Sequence, residues 1–208
     1  MRIDLHVHTS PRSPCSNINP VELIQEANRI GLDGFCLTEH QVMWDWDEVV
    51  GLAGDEGIRI FRGNEITTAQ GDVLVFGLER NVQGIITIQE LHQIVKSAGG
   101  FSIAAHPFRG FLLFGFGMLQ MNVNDAFENP TLSQVHAVEI CNGKVTDEEN
   151  DFAKQVAEAL GLIKVGGSDA HSREAVGTCV TNFEAVIKNE RDLITAIMNQ
   201  GFSLERCK

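Results

Sequence analysis

The stretch Arg2-Ile3-Asp4-Leu5-His6-Val7-His8 decides how the rest of the chain is read. Polar and apolar residues alternate with the two-residue period of a strand, so Asp4, His6 and His8 share one face. Two imidazoles on one strand face can grip one ion. Asp4, one step deeper, is suited to orient one of them from behind. Alone, such a pair is a weak sign of metal binding. Its weight depends on what stands at the other strand ends.

Working outward, further strands are expected at Gly34 to Thr38, Ile58 to Ile66, Asp72 to Leu78, Phe101 to Ala105, Ala137 to Cys141 and Ile163 to Gly166, with a short one within Ala175 to Phe183. Helices are expected at Val21 to Ile30, Ile88 to Ala98, Thr146 to Leu160 and Arg191 to Gln200. The first begins at an N-cap and N1 pair, Asn19-Pro20, and stops at Gly31. This strand-then-helix order predicts one α/β domain over residues 1–208, a parallel sheet of about seven strands closed as a barrel. A doubly wound open sheet competes less well, because no Gly-rich phosphate loop follows the first strand. In a βα barrel the C-terminal strand ends form the active-site face. Metal-ligand residue types recur there: Thr38-Glu39-His40, Gly63-Asn64-Glu65, His106-Pro107 and Gly167-Ser168-Asp169-Ala170-His171. Glu139 and Asn142 end another strand on the same face, placed to orient ligands or substrate. His92 and His136 read as bystanders.

The series HxH at 6–8, T-E-H at 38–40, G-N-E at 63–65, H-P at 106–107 and G-S-D-A-H at 167–171, in this order, resembles the signature of the PHP (polymerase and histidinol phosphatase) superfamily and spans residues 3 to 171. The resemblance implies a distorted seven-stranded, TIM-like (β/α) barrel holding two or three divalent ions, zinc, iron or manganese. It implies that His6, His8, Glu65 and Asp169 hold one ion. Glu65 would bridge to a second ion held by His106, and His40 with His171 would hold a third, with Glu39 behind them. Two positions depart from the family pattern. Cys15 stands where a His or Asp is usual in the loop after HxH, and Asp72 where a His is usual on the strand after Glu65. Each is either a substitute ligand or an ordinary loop residue, and either departure could reduce the site to two ions.

The activity implied is hydrolysis of a small phosphomonoester or phosphodiester by a metal-bound hydroxide. Glu65, Asp169 and His171 are the expected catalytic residues, with Arg109 clamping phosphate. Arg12 and Arg173 are weaker candidates for that clamp. Two alternatives stand beside it: a metal-dependent hydrolase of amide or lactone bonds, and a non-catalytic metal-binding PHP-type domain.

The 208 residues carry a net charge of −12, from 16 Lys+Arg against 28 Asp+Glu, which disfavours an extended nucleic acid and leaves a small phosphorylated substrate as the expected partner. The five cysteines, odd in number and never spaced CxxC, fit a reducing compartment and hence the cytoplasm. No apolar signal core follows Met1, and Gly110 to Met121 is too short to span a bilayer. The apolar segment Phe111 to Leu119 follows His106 closely. Its glycines suit a lid over the site, whereas its length and apolarity suit a homodimer interface.

Overall fold

The computed structural model describes residues 1–53, 57–110, 126 and 128–207. β1 (Arg2–Val7) is buried from Ile3 onward, and it pairs in parallel with β2 (Gly34–Leu37), itself parallel to β3 (Arg59–Thr68). α1 (Pro20–Arg29) makes the first crossover and begins at the expected cap. The Asn19 side chain accepts from the Val21 and Glu22 amides, and Glu22 reaches back in a capping box. The second crossover contains α2 (Trp46–Ala53), a helix absent from the sequence reading.

The next step breaks the all-parallel expectation. Only Ala69 and Gln70 separate β3 from β4 (Gly71–Phe76), too few residues for a crossover, so the two strands form an antiparallel hairpin. After α3 (Ile88–Ala98), β5 (Phe101–Ala104) runs antiparallel to β4 and so recovers the direction of β3. β6 (Ala137–Asn142) and β7 (Ile163–Gly167) follow in parallel, with α4 (Asp147–Leu160) between them. β8 (Cys179–Phe183) then returns beside β1, antiparallel to it. After α5 (Glu190–Met198), β9 (Phe202–Arg206) adds antiparallel to β8 at the edge.

Among the described residues the sheet therefore has nine strands rather than seven, in the order β7-β6-β5-β4-β3-β2-β1-β8-β9. It curls into a nearly closed, TIM-like barrel in which β7 comes round to β1. The seam carries a single bridge, Val7 to Ala170, with the His8 amide donating to the Ala170 carbonyl at 3.0 Å. Side chains supply the rest. The Asp4 carboxylate accepts from the Ser168 amide at 2.8 Å and the Gly177 amide at 2.9 Å, and the Thr181 hydroxyl donates to the Gly166 carbonyl at 2.9 Å. Gly167 lets the strands approach this closely, since a Cβ there would lie 2.6 Å from His6 Cβ and 2.8 Å from the His6 amide nitrogen.

Apolar side chains hold the layers together. Val7, Leu37 and Ile60 pack with Leu23 of α1 and Val49 of α2, while Val75 and Val138 pack with Leu91 of α3 and Val156 of α4. A third cluster around Ile3, Phe61, Phe76 and Phe101 packs with Leu193 of α5. Each such buried side chain contributes roughly 1.5–3 kcal/mol. Among the described residues no helix is long and apolar enough to cross a membrane. The segment Phe111 to Leu119, read as lid or interface, lies outside the described residues.

Candidate metal centre

β1, β2, β3, β5 and β7 each deliver ligand-type side chains to one end of the barrel. The two-residue period of β1 brings His6 and His8 together as expected, with their Nε2 atoms 2.9 Å apart. Glu65 of β3 lies between the rings. Its Oε1 is 3.0 Å from His106 Nε2, and its Oε2 is 2.9 Å from His40 Nδ1 and 3.2 Å from His8 Nε2. Asp169 Oδ1 lies 3.4 Å from His8 Nε2, 3.5 Å from His6 Nε2 and 3.3 Å from His171 Nδ1. Three overlapping triads result: His6–His8–Asp169, His6–Glu65–His106 and His8–His40–His171, the donor atoms of each lying within 4.8 Å of one another.

This donor set fits divalent ions. Glu65 Oε2 is buried and makes no aligned hydrogen bond, although imidazole nitrogens crowd it at 2.9 and 3.2 Å. Lone pairs that converge without pairing to each other are aimed at a shared centre, and a buried carboxylate oxygen left so is costly unless a cation satisfies it. Imidazole and carboxylate ligands suit zinc, iron and manganese alike.

A second layer fixes the ligands. Glu139 of β6 holds His6 Nδ1 at 2.8 Å, accepts from the His106 amide at 2.9 Å, and is held in turn by the Asn142 side-chain amide at 3.0 Å. Glu139 thus orients His6, the task expected of Asp4, whose carboxylate is spent on the seam. Glu39 accepts from the Thr9 amide at 2.9 Å, from Trp44 Nε1 at 2.9 Å and from the Ser13 hydroxyl. Ser13 Oγ lies 3.3 Å from His8 Nδ1 and accepts from the His40 amide at 3.3 Å, which sets both rings. The sequence reading missed Ser13 and the close approach at Gly167, although the Gly166-Gly167 pair before Ser168 was a signal. His106 and Asp169 sit at φ of +31° and +54°, conformations that strain any residue bearing a Cβ. Such strain, about 1–3 kcal/mol per residue, gathers at functional sites.

Electrostatics follow from this crowding. Burial opposes charging of His6, but the Glu139, Asp169 and Glu65 carboxylates outweigh it and hold its pKa well above the ordinary value. Burial likewise opposes ionisation of Glu65 and Asp169, yet the surrounding histidines, with Arg109 beside Asp169, keep both carboxyls below their ordinary values. Burial lowers His171 to about 4, which leaves a neutral, ligand-ready imidazole at neutral pH. Burial raises Asp4 to about 6, against the hydrogen bonds from Ser168 and Gly177.

Two expected ligands stand apart from the triads. Cys15 is exposed, on a loop whose Ser13, not Cys15, turns towards the rings. Asp72 is the second residue of the reversed strand β4 and lines a recess of about 260 Å³ with His106, Arg109, Gln70, Asn129 and Thr131. Arg109 pairs with Asp169 Oδ2 at the edge of the cluster. Arg12 is engaged with Glu48 and stacks on Trp44, Arg173 binds Glu26, and His92 and His136 bond to Gln134 and Ser102 away from the centre.

The model of the PHP domain matches residues 4–144, and that of the PHP-associated region matches residues 147–200. The chain belongs to the PHP family. Over 117 residues, 52% of this chain and 68% of the relative, this PHP protein is 26% identical to an uncharacterized protein of Methanocaldococcus jannaschii. It is similar in structure to a two-domain Bacteroides vulgatus protein containing a predicted PHP-like metal-dependent phosphoesterase, with a TM-score of 0.74, 22% identity and 99% of this chain covered. The chain spans 64% of that protein. PsfC from Pseudomonas syringae matches with a TM-score of 0.67 and 21% identity, over 99% of this chain and 91% of its own. At these identities the structural likeness is one of fold, and the PHP membership rests on the domain match.

Proposed function

We propose that this PHP protein is a metal-dependent phosphoesterase that hydrolyses a small phosphomonoester or phosphodiester. The observation that carries the reading is the trio of triads that overlap at His6 and His8, with Glu65 between their rings and an arginine at their edge, on the barrel face where strand ends converge. Divalent ions bound there would supply Lewis acidity and a water acidic enough to attack at neutral pH. His6, His8, Glu65, Asp169, His106, His40 and His171 would hold them. Glu65, contacted through both oxygens, keeps the triads in register. Arg109 reaches Asp169 from a half-exposed position, so its guanidinium can turn to phosphate oxygens at the mouth of the site. The recess beside His106 would take the organic part of a small substrate. The net charge of −12 argues for a small ester over a long polynucleotide, and the five free cysteines suit the cytoplasm.

Amide or lactone hydrolysis draws on the same ligand types, and a domain that keeps its ions for stability alone is the other rival. The positions of Cys15 and Asp72 outside the triads favour a reduced complement of ions rather than either rival. The test is to load the protein anaerobically with zinc, iron or manganese and assay phosphomonoesters, phosphodiesters, amides and lactones side by side. Turnover of phosphate esters alone is the expected result. Turnover of amides or lactones without phosphate esters, or none with full metal content, overturns it.

A further inference from the structure

The recess beside His106 carries polar groups that the metal centre does not use. The register of the β3–β4 hairpin sets Asp72 opposite Thr67, two residues beyond the pair of Leu74 with Glu65. Strand period then puts Asp72 on the face of Leu74 and Phe76, which pack inside the barrel with Ile3, Ile103 and Val165. Asp72 is half-buried, and among the described residues its carboxylate takes part in no hydrogen bond or ion pair. The chain around it is tied down. Gln70 Oε1 accepts from the Ile88 amide at 2.8 Å, at the start of α3, and Asn129 Oδ1 accepts from the Thr131 amide at 2.9 Å. The Thr131 hydroxyl donates to the Gln70 carbonyl at 3.0 Å, which joins the hairpin turn to residues 129–131. With both amide oxygens engaged, Gln70 and Asn129 keep their NH2 groups to donate.

The recess thus sets two N–H donors beside one charged acceptor. A hydroxyl group both donates and accepts, so two neighbouring hydroxyls match the whole set, giving protons to Asp72 and lone pairs to Gln70 and Asn129. An alkyl or aryl group would cover the Asp72 carboxylate without offering it a donor, which is costly. An ammonium group would meet the two amide donors and the Arg109 guanidinium that lines the same recess. The volume of about 260 Å³ lies below the roughly 300–1,000 Å³ of sites for drug-sized ligands, and suits one sugar ring or a short polyol. We propose that this recess selects the alcohol half of the substrate, and that Asp72 makes it specific for a polyhydroxyl group. The proposal rests on the phosphoesterase reading and names the class of ester, a sugar or polyol phosphate. Asp72, outside the triads, is then a specificity residue rather than a substitute metal ligand.

The test measures binding without turnover. Zinc-loaded protein is titrated by calorimetry with 3,4-dihydroxybutylphosphonate and with butylphosphonate, which resist hydrolysis and differ only in the diol. The diol is expected to bind about tenfold tighter, the scale of hydrogen bonds to a charged group. In Asp72→Ala the two should bind within about twofold of each other, and in the isosteric Asp72→Asn the preference should fall in between, both variants keeping their zinc. Equal binding by the wild type, or a preference that survives Asp72→Ala, overturns the proposal and leaves the phosphoesterase reading standing. Zinc lost from both variants makes Asp72 a metal ligand and overturns it too. If neither phosphonate binds the fully loaded wild type, the phosphoesterase reading fails and this proposal with it.

Discussion

Between β1 and β3 the barrel wall is a parallel ladder of main-chain hydrogen bonds, backed by Leu37, Ile60 and Leu23. Between β7 and β1 there is one bridge, and the Asp4 and Ser168 side chains, with Thr181 of β8 bonding to Gly166, take over the ladder's work. The wall asks little of its side chains beyond being apolar and of the right volume. The seam asks for particular residues, because beyond its few main-chain bonds the hydrogen bonds there belong to particular side chains. The same exacting strand pair also supplies His6, His8, Asp169 and His171. The protein has placed its chemistry where its closure is most specific, so a fault in one is a fault in the other.

The sharpest way to break this comparison is Gly167→Ala. The added carbon meets His6 backbone and Cβ, which cannot swing aside, so the seam must part. A loss of about 3 kcal/mol of stability is expected, the upper range for forced overpacking, together with loss of bound metal. Denaturant unfolding and elemental analysis check both, and a variant that keeps its metal would show that the seam is softer than described. Glu65→Gln comes next. It should leave stability of the metal-free protein nearly unchanged but weaken metal retention and any turnover about a hundredfold, equivalent to roughly 2.7 kcal/mol. Near-normal zinc content after dialysis would remove Glu65 from its central role.

On the wall, Ile60→Val should cost about 1 kcal/mol of stability and leave metal content intact. Metal loss from so small a change would mean that wall and seam are not separable. The smallest effect belongs outside the seam, where Glu26 of α1 joins Arg29 to Arg173 beyond β7. Hydrogen bonds from Arg29, against a burial penalty and with Arg173 adding, lower the Glu26 carboxyl to about 2. Its folded value lies below its unfolded one, so its contribution is present above about pH 4.5 and fades as pH falls towards 2. The two guanidinium groups are 64% and 52% exposed, so solvent screens the pair, and Glu26→Gln should cost only roughly 0.5–1 kcal/mol near neutral pH. Unfolding curves at pH 7 and pH 3 should show a gap between wild type and variant that narrows with acid.

The candidate ligand residues were legible because a strand end leaves a plain mark: alternating polar residues after an apolar run, as at His6 and His8 or Asp169 and His171. The helix cap at Asn19 is equally local. What the sequence withheld was direction and partnership. The reversal of β4 rests on the brevity of Ala69-Gln70, which the alternation of strand and helix signals conceals. β9, Phe202–Arg206, is a short, largely unburied edge strand whose pairing depends on β8 having already turned back. Which of the two carboxylates, Asp4 or Glu139, meets the His6 ring could not be read either. Both carboxylates lie on strands facing the same end, and only the seam decides which meets His6 and which meets Ser168. Cys15 and Asp72 had the right type of atom in the right part of the chain, but local geometry leaves them outside the triads.

The bond from the Ser168 amide to the Asp4 carboxylate joins residues 164 apart in sequence. Such a contact cannot form until nearly the whole chain is available. Closing so long a loop costs only about 0.6 kcal/mol more than closing one half as long, but it must wait for the strands between. As β1 leaves the ribosome it carries two imidazoles with no carboxylate of β7 to meet them. The ion-binding cluster is thus a product of the last stage of folding. Ions that bind only the finished barrel then hold it by mass action, so metal supply would govern how long a newly made molecule survives.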